Sequence, residues 1–168
     1  MIRIVGRNII RFLILILFQV LVLDNIQMGG YLNPYFYVLF IILMPFETPR
    51  WLLLLTAFLL GVSVDLFTNT LGMHAAASVF MAFLRPWILS IFAPRDGYEQ
   101  DTFPRIFFYG FNWFLRYSLV MVFFHHLALF YLEVFHFQDF LSTFLRVILS
   151  TLVTTATIIL SQYFIFRK

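Results

Sequence analysis

The sequence predicts an all-α fold, a polytopic membrane helix bundle with about six spans and with both termini in the cytoplasm. Hydrophobic residues make up 62% of the 168 residues and charged residues only 11%, whereas soluble domains are nearer half apolar and a quarter charged. A soluble fold of this size cannot bury so much apolar surface, so lipid is expected to be its solvent. Long apolar runs with short joints cover residues 1–168, which predicts a single transmembrane domain.

Six apolar runs approach the roughly 20 residues that a helix needs to cross a bilayer. The first follows a basic start and lacks a small-residue cleavage site, so we expect a retained signal-anchor helix. The second is the shortest, and it approaches a crossing length only if Tyr31, Tyr35 and Tyr37 anchor it at the interface. A polar connector, residues 93–105, follows the fourth run and is the best candidate contact for a soluble partner. The predicted spans are residues 9–28, 31–46, 51–67, 71–92, 106–132 and 140–166.

Basic residues concentrate on one side of this predicted topology. An even number of spans puts both termini on one side, and that side holds nine of the 11 Lys and Arg residues. They are Arg3, Arg7, Arg11, Arg50, Arg85, Arg95, Arg105, Arg167 and Lys168. The opposite joints carry Asp24, Glu133 and Asp139 but no Lys or Arg. By the positive-inside rule the basic side is cytoplasmic, and this placement explains the net charge of +3 better than nucleic-acid binding does.

Three ionisable side chains lie within the predicted spans, namely Asp65, Arg116 and Arg146. Each costs about 2.5–3.5 kcal/mol at the centre of a membrane on insertion scales, so each is expected to face protein or water. Asp65 and Arg146 lie at similar depths in the outer part of the membrane, which predicts a buried ion pair that Arg116 could share. Such a pair would fix the register of the helices, and a proton or substrate relay remains the alternative.

Small and hydroxyl-bearing residues line one face of three predicted spans. In the last span such a face predicts a seam of close helix packing, with the wall of a polar cavity as the alternative. We expect it to meet matching faces of the fourth and fifth spans in the interior of the bundle. The three faces are Arg146, Ser150, Thr154, Thr157 and Ser161, then Ala75, Ser78 and Ala82, and finally Tyr109, Asn112 and Arg116.

No pattern in the sequence points to an enzyme. Cysteine is absent, which excludes disulfides, thiolate metal sites and cysteine nucleophiles. His125, His126, Glu133 and His136 could suggest zinc, but their spacing matches no recognised metal motif. The nucleophile elbow, the phosphate-binding loop and the dinucleotide fingerprint are also missing from the sequence. We therefore predict no catalytic residues, no cofactor and no metal.

Residues 61–86 carry the most specific pattern in the chain. Gly61 and Asp65 end one apolar run, Leu-Gly-Met-His-Ala at residues 71–75 opens the next, and Arg85–Pro86 closes it. In this motif and in its general architecture the chain resembles the MreD family of rod shape-determining proteins, which are small bacterial inner-membrane proteins with five or six spans. The candidate structural or interaction residues are Gly61, Asp65, Gly72, His74, Arg85, Arg116, Arg146, Ser150, Thr154 and Thr157.

The resemblance implies a non-enzymatic component of the cell-elongation complex, which maintains rod shape by scaffolding or regulating lateral peptidoglycan synthesis. Its implied partners are an MreC-like bitopic membrane protein, an MreB-like filament and RodA/PBP2-type wall synthases. The family is also similar in fold to the substrate-binding subunits of energy-coupling-factor vitamin transporters, so such a transport subunit is the alternative function. Those subunits usually carry small residues spaced by four in the first helix, whereas residues 13–18 here are all large.

Overall fold

In the computed structural model the described residues are 2–25, 33–99, 102–134 and 140–165, and all regular structure among them is helical. The helices are α1 (Ile2–Phe18, continued by a π-helical turn, Gln19–Leu23), α2 (Leu39–Ile42, preceded by a 3-10 turn, Phe36–Val38), α3 (Arg50–Thr68), α4 (Met73–Ile91), α5 (Ile106–Tyr109), α6 (Phe111–Val134) and α7 (Phe140–Ile165). Of these, α3, α4, α6 and α7 are long and apolar enough to cross a membrane, and α1 is a shorter apolar helix. The protein is therefore a helical membrane bundle, as its composition predicts.

A tight turn joins α3 and α4 into an antiparallel hairpin. Asn69 ends α3 with a φ of 54°, and Gly72 precedes α4 with a φ of 82°. Asn and Gly are the residues that adopt such positive φ values most readily. Because the chain reverses over so few residues, the last turn of α3 lies against the first turn of α4.

The segment after α1 differs most from the sequence-based expectation. We call residues 33–46 the interior segment, because residues 36–44 are all buried within the protein. Its only α-helix, α2, has four residues, so the described part of the second predicted span is not one continuous helix. Tyr37 is fully buried rather than an interfacial anchor, and Tyr31 lies outside the described residues. Large apolar side chains of this segment fill the core of the bundle.

The fifth predicted span begins later than expected. Gly110, with a φ of 79°, interrupts the helix, so the predicted span over residues 106–132 is divided into a single turn, α5, and the long helix α6. Isolated Gly residues with positive φ break a helix because other residues rarely adopt that conformation. The break removes Tyr109 from the helix that carries Asn112 and Arg116, so the predicted common face of these three residues is wrong.

An aromatic cluster fastens the polar connector to the bundle. The rings of Phe46 and Tyr98 stack with centroids 4.2 Å apart, and the Trp113 indole packs against Tyr98 at 5.9 Å. The Trp113 indole N–H donates to the Phe92 carbonyl at 2.7 Å, and the Tyr98 hydroxyl donates to the Leu89 carbonyl at 2.7 Å. Burial in this cluster raises the pKa of Tyr98 to about 12. The connector is therefore packed against the ends of α4 and α6.

Parts of several predictions fall on residues whose structure is not described. They include the ends of the first, second and last predicted spans and the joint that contains His136 and Asp139. The terminal cations Arg167 and Lys168 and the connector residue Asp101 also lie outside the described residues.

Candidate functional site

The interior segment enters the bundle through hydrogen bonds from the Gln19 side chain. Its amide oxygen accepts from the backbone N–H groups of Phe36, at 2.7 Å, and Tyr37, at 3.4 Å. Its amide nitrogen donates to the Pro34 carbonyl at 3.1 Å and to the Asp24 carboxylate at 2.7 Å. Irregular backbone at membrane depth is tolerated only where its polar groups find partners within the protein. Gln19 supplies these partners at the start of the segment.

Two hydroxyl groups of α7 also bind the backbone of the interior segment. The Ser150 hydroxyl accepts from the backbone N–H of Asn33, and the Thr154 hydroxyl accepts from the backbone N–H of Tyr35, both at 3.2 Å. A buried N–H without a partner would cost about 1–3 kcal/mol. The polar face predicted on α7 therefore includes two residues that hold the backbone of the interior segment.

The rest of the predicted α7 face lies elsewhere. Thr157 and Ser161 are only partly buried and donate to carbonyls of their own helix, those of Val153 and Ile158. The face that α7 buries runs instead through Thr143, Val147, Ser150, Thr151, Thr154, Thr155, Ile158 and Gln162. The predicted stripe therefore coincides with the buried face only at Ser150 and Thr154, whereas Arg146, Thr157 and Ser161 lie at its edge.

The Tyr37 hydroxyl of the interior segment contacts two helices, α4 and α6. It lies 2.9 Å from Nδ1 of His74, on α4, and 2.8 Å from Nε2 of His125, on α6. A tyrosine hydroxyl has one hydrogen, so it donates to one imidazole and accepts from the N–H of the other. All three side chains are buried. The interaction links the interior segment to the two helices that pack against it.

A second histidine of α6 completes this cluster. Nδ1 of His126 lies 2.8 Å from the Val122 carbonyl, which can only accept, so this nitrogen carries the proton. In the neutral ring Nε2 is then the acceptor, and it lies 3.3 Å from the Thr154 hydroxyl. The Tyr35 ring packs over the cluster, with its centroid 5.1 Å from that of His74 and 5.5 Å from that of His126.

At the opposite end of the interior segment, Arg85 and Tyr117 bind buried carbonyl groups of the backbone. The Nε of Arg85 donates to the Tyr117 hydroxyl at 3.0 Å, and another guanidinium nitrogen donates to the Met44 carbonyl. Tyr117 in turn donates to the Ile42 carbonyl at 3.2 Å. The last carbonyls of a helix have no partner within it and carry partial negative charge, so a buried cation is stabilised there.

This position of Arg85 corrects two predictions. Arg85 is counted among the basic residues of the cytoplasmic side, but it lies within α4 with only 2% of its surface exposed. Arg85–Pro86 was also expected to close the helix, whereas α4 continues through Pro86 to Ile91. A basic residue can be buried here because two polar groups of the interior, the Tyr117 hydroxyl and the Met44 carbonyl, accept hydrogen bonds from its guanidinium.

The residues of the pattern at positions 61–75 come together where α3 and α4 cross. The Asp65 carboxylate accepts from the backbone N–H groups of His74, at 3.1 Å, and Ala75, at 2.9 Å, and from the Thr70 hydroxyl at 2.5 Å. It therefore caps the N-terminus of α4, where a negative charge is favoured. A Cβ atom at Gly61 would lie 2.3 Å from the Cα of Ala75, so the two helices are in backbone contact.

The predicted Asp65–Arg146 pair is consequently wrong. Arg146 forms its ion pair with Glu133, at 3.1 Å, and its guanidinium lies 4.2 Å from the ring centre of Phe130. Arg116 is exposed on α6 and lies only five residues after the start of that helix, so it shares no buried pair. Similar depth was a poor guide because it does not specify the direction in which a side chain points.

Sequence analysis missed the residues that organise this site. Gln19 interrupts an otherwise apolar run. A buried polar side chain needs a hydrogen-bond partner, so Gln19 could have been identified from the sequence as a residue that binds another segment. Tyr37 and Tyr117 carry no such signal, because tyrosine is common at both interfaces and in interiors. The predicted candidates Gly61, Asp65, Gly72 and His74 cluster at the hairpin, and Ser150 and Thr154 lie beside the interior segment.

The site provides hydrogen bonding and close packing. Among the residues that the structure describes, no three His, Asp or Glu side chains converge as a metal site requires. The zinc hypothesis involved His136, which lies outside the described ranges. No protein-family model, curated protein or solved structure matches this chain. The function is therefore argued from the geometry of the bundle.

Proposed function

We propose that this chain is a non-enzymatic, multi-pass component of the bacterial inner membrane that scaffolds or regulates lateral peptidoglycan synthesis during cell elongation. The observation that carries the proposal is the filled interior. Residues 36–44 are buried, and polar side chains from α1, α4, α6 and α7 bind the backbone of the interior segment. Because the buried polar side chains are bound to the protein's own backbone, we expect binding to partners to occur at the outer surface of the bundle.

The path of the interior segment supports a six-crossing topology with both termini on the cytoplasmic side. Tyr37 contacts His74, near the start of α4, and Met44 contacts Arg85, eleven residues later in that helix. Eleven helical residues span roughly 16 Å at 1.5 Å per residue. The segment thus runs parallel to α4 through the inside of the bundle, and it returns the chain to the side where α3 begins.

The hairpin supports the resemblance to the MreD family. The Gly, Asp and His-Ala residues of the motif all lie at the contact between α3 and α4, where each has a physical function. Gly61 permits backbone contact, Asp65 caps α4, and His74 binds Tyr37. The partners that we propose are those of the family: an MreC-like bitopic protein, an MreB-like filament and wall synthases. Transport is less favoured, because buried side chains occupy the place of a central ligand.

Affinity purification in mild detergent, followed by mass spectrometry, tests the proposal. A tagged chain expressed in a rod-shaped bacterium should recover a bitopic coiled-coil protein and wall synthases. Recovery of an ATPase pair with its coupling subunit would instead establish the transport function. Gly61→Leu should abolish recovery by separating α3 from α4, whereas Gly6→Leu should not, because nothing lies within 4 Å of that position.

The connector offers a test for the soluble partner. Asp96 and Glu99 are exposed near the aromatic cluster, and their carboxylates form no hydrogen bond or ion pair with the described residues. Charge reversal at both residues should leave insertion and folding intact but reduce recovery of the cytoplasmic filament. Unchanged recovery would rule out the connector as the contact for that partner.

A further inference from the structure

A narrow cleft opens between α3 and α4 at the basic end of the hairpin. Arg50, the first residue of α3, lies at the cleft beside Trp87, near the end of α4. The cleft has a volume of about 90 Å³, and its remaining walls are apolar. Pockets for drug-sized soluble ligands are larger, about 300–1,000 Å³, so this cleft suits a short hydrocarbon segment.

The shape of the cleft follows from two small residues of α4. Ala82 and Pro86 are four positions apart, so they lie on the same face of the helix, and neither fills the space beside Leu53. Pro86 also lacks the N–H that would bind the Ala82 carbonyl, which weakens the helix at this point. Phe83 and Trp87, whose ring centroids are 4.7 Å apart, form an exposed rim.

Arg50 brings an uncompensated charge to this apolar cleft. Its side chain is exposed and forms no hydrogen bond or ion pair with any of the described residues. The nearest acid in the sequence, Glu47, is exposed and does not pair with it. The guanidinium group is well suited to phosphate because it can donate two parallel hydrogen bonds. The positive charge of Arg50 and the apolar walls of the cleft together favour an anion that carries a hydrocarbon chain.

We propose that this cleft binds an anionic phospholipid. The phosphate accepts hydrogen bonds from Arg50, and the upper part of one acyl chain lies between α3 and α4 against Trp87. The aromatic rim is typical of the interface between headgroups and hydrocarbon, where tryptophan is enriched. An anionic headgroup is favoured over a zwitterionic one because the latter brings its own cation close to Arg50.

Quenching of tryptophan fluorescence by brominated lipids tests this proposal. The purified protein is reconstituted in phosphatidylcholine vesicles that contain either brominated phosphatidylglycerol or brominated phosphatidylcholine at equal mole fraction. Comparison of Trp51→Phe with Trp51→Phe/Trp87→Phe isolates the signal of Trp87 and leaves Trp113, which packs in the aromatic cluster, unchanged. The relative association of the anionic lipid at Trp87 should exceed that of phosphatidylcholine about fivefold.

Two arginine variants decide whether the cleft is a specific site. Arg50→Gln should abolish the preference, whereas Arg95→Gln, which removes an exposed charge of the connector that does not line the cleft, should preserve it. Equal quenching by both lipids would overturn the proposal. An equal loss of preference in both variants would also overturn it, because that result indicates general attraction of anionic lipid to a basic surface. Circular dichroism of each variant establishes that it is folded.

Discussion

The guanidinium of Arg85 binds the backbone carbonyl of Met44, so a cation of α4 stabilises the end of the interior segment. The contact explains how a helix of four residues can persist inside a membrane protein. Most short helices lack stability in isolation, and this one is fastened at both ends by side chains from its neighbours.

Removal of the Arg85 side chain should destabilise the protein. Arg85→Ala leaves the Met44 carbonyl and the Tyr117 hydroxyl without a charged partner, and hydrogen bonds to charged groups contribute about 1.5–3 kcal/mol each. We expect a loss of about 3 kcal/mol in the free energy of unfolding, measured by denaturant titration in mixed micelles. Arg95→Ala, at an exposed position, is the control, and an equal effect of both variants would contradict this function of Arg85.

A methyl group at Gly61 should force α3 and α4 apart. The added Cβ would lie 2.3 Å from backbone of Ala75, which cannot move aside as a flexible side chain could. Overpacking of this kind costs about 1–3 kcal/mol, so Gly61→Ala should lower the free energy of unfolding by at least that amount. Gly6→Ala is the matched control, because it adds the same methyl group to open space on α1. If both variants are equally stable, the helices are not in backbone contact.

Double-mutant cycles distinguish the observed ion pair from the one that depth alone predicts. Arg146→Gln should couple to Glu133→Gln by about 0.2–1 kcal/mol, the range typical of partly exposed pairs. The same change should be additive with Asp65→Asn, because the Asp65 carboxylate caps α4 instead. Unfolding of the single and double variants measures both terms. A larger coupling between Asp65 and Arg146 would restore the sequence-based hypothesis.

The two tyrosines of the interior segment should respond differently to loss of the hydroxyl group. Tyr37→Phe leaves nitrogens of His74 and His125 without their partner in a buried site, which should cost about 1–3 kcal/mol. Tyr35→Phe preserves the ring that packs on the histidines, and no hydrogen bond of the Tyr35 hydroxyl is found among the described residues, so its effect should be small. Nitrogen chemical shifts of the histidine rings report the change directly, and identical effects of both variants would argue against the bridge.

Hydropathy predicts the long helices well, because each is a continuous apolar run long enough to cross a membrane. Thus α3 begins one residue before the predicted third span, and α7 begins where the sixth was expected. The interior segment could not be predicted in this way, because its apolar side chains face protein and its backbone is held by Gln19 and Tyr117. Periodicity groups residues on a face, but it does not say which face is buried.

The same limits apply to the candidate site. The hairpin residues could be found from the sequence because they are close along the chain and their types are constrained by one turn. Arg85 was counted with the cytoplasmic basic residues because the positive-inside rule assigns Lys and Arg to that side. Its burial depends on a carbonyl 41 positions away, and no local pattern contains that information.

The partners of the interior segment impose an order on biosynthesis. Ser150 follows Asn33 by 117 positions, so the ribosome needs roughly 6–23 s to reach it at about 5–20 residues per second. Until α6 and α7 emerge, the N–H groups of Asn33 and Tyr35 and the Ile42 carbonyl lack the partners that these helices supply, and unpaired polar groups are costly in hydrocarbon. We therefore expect the interior segment to stay out of the hydrocarbon until those helices are in place, so packing of the core comes late in maturation.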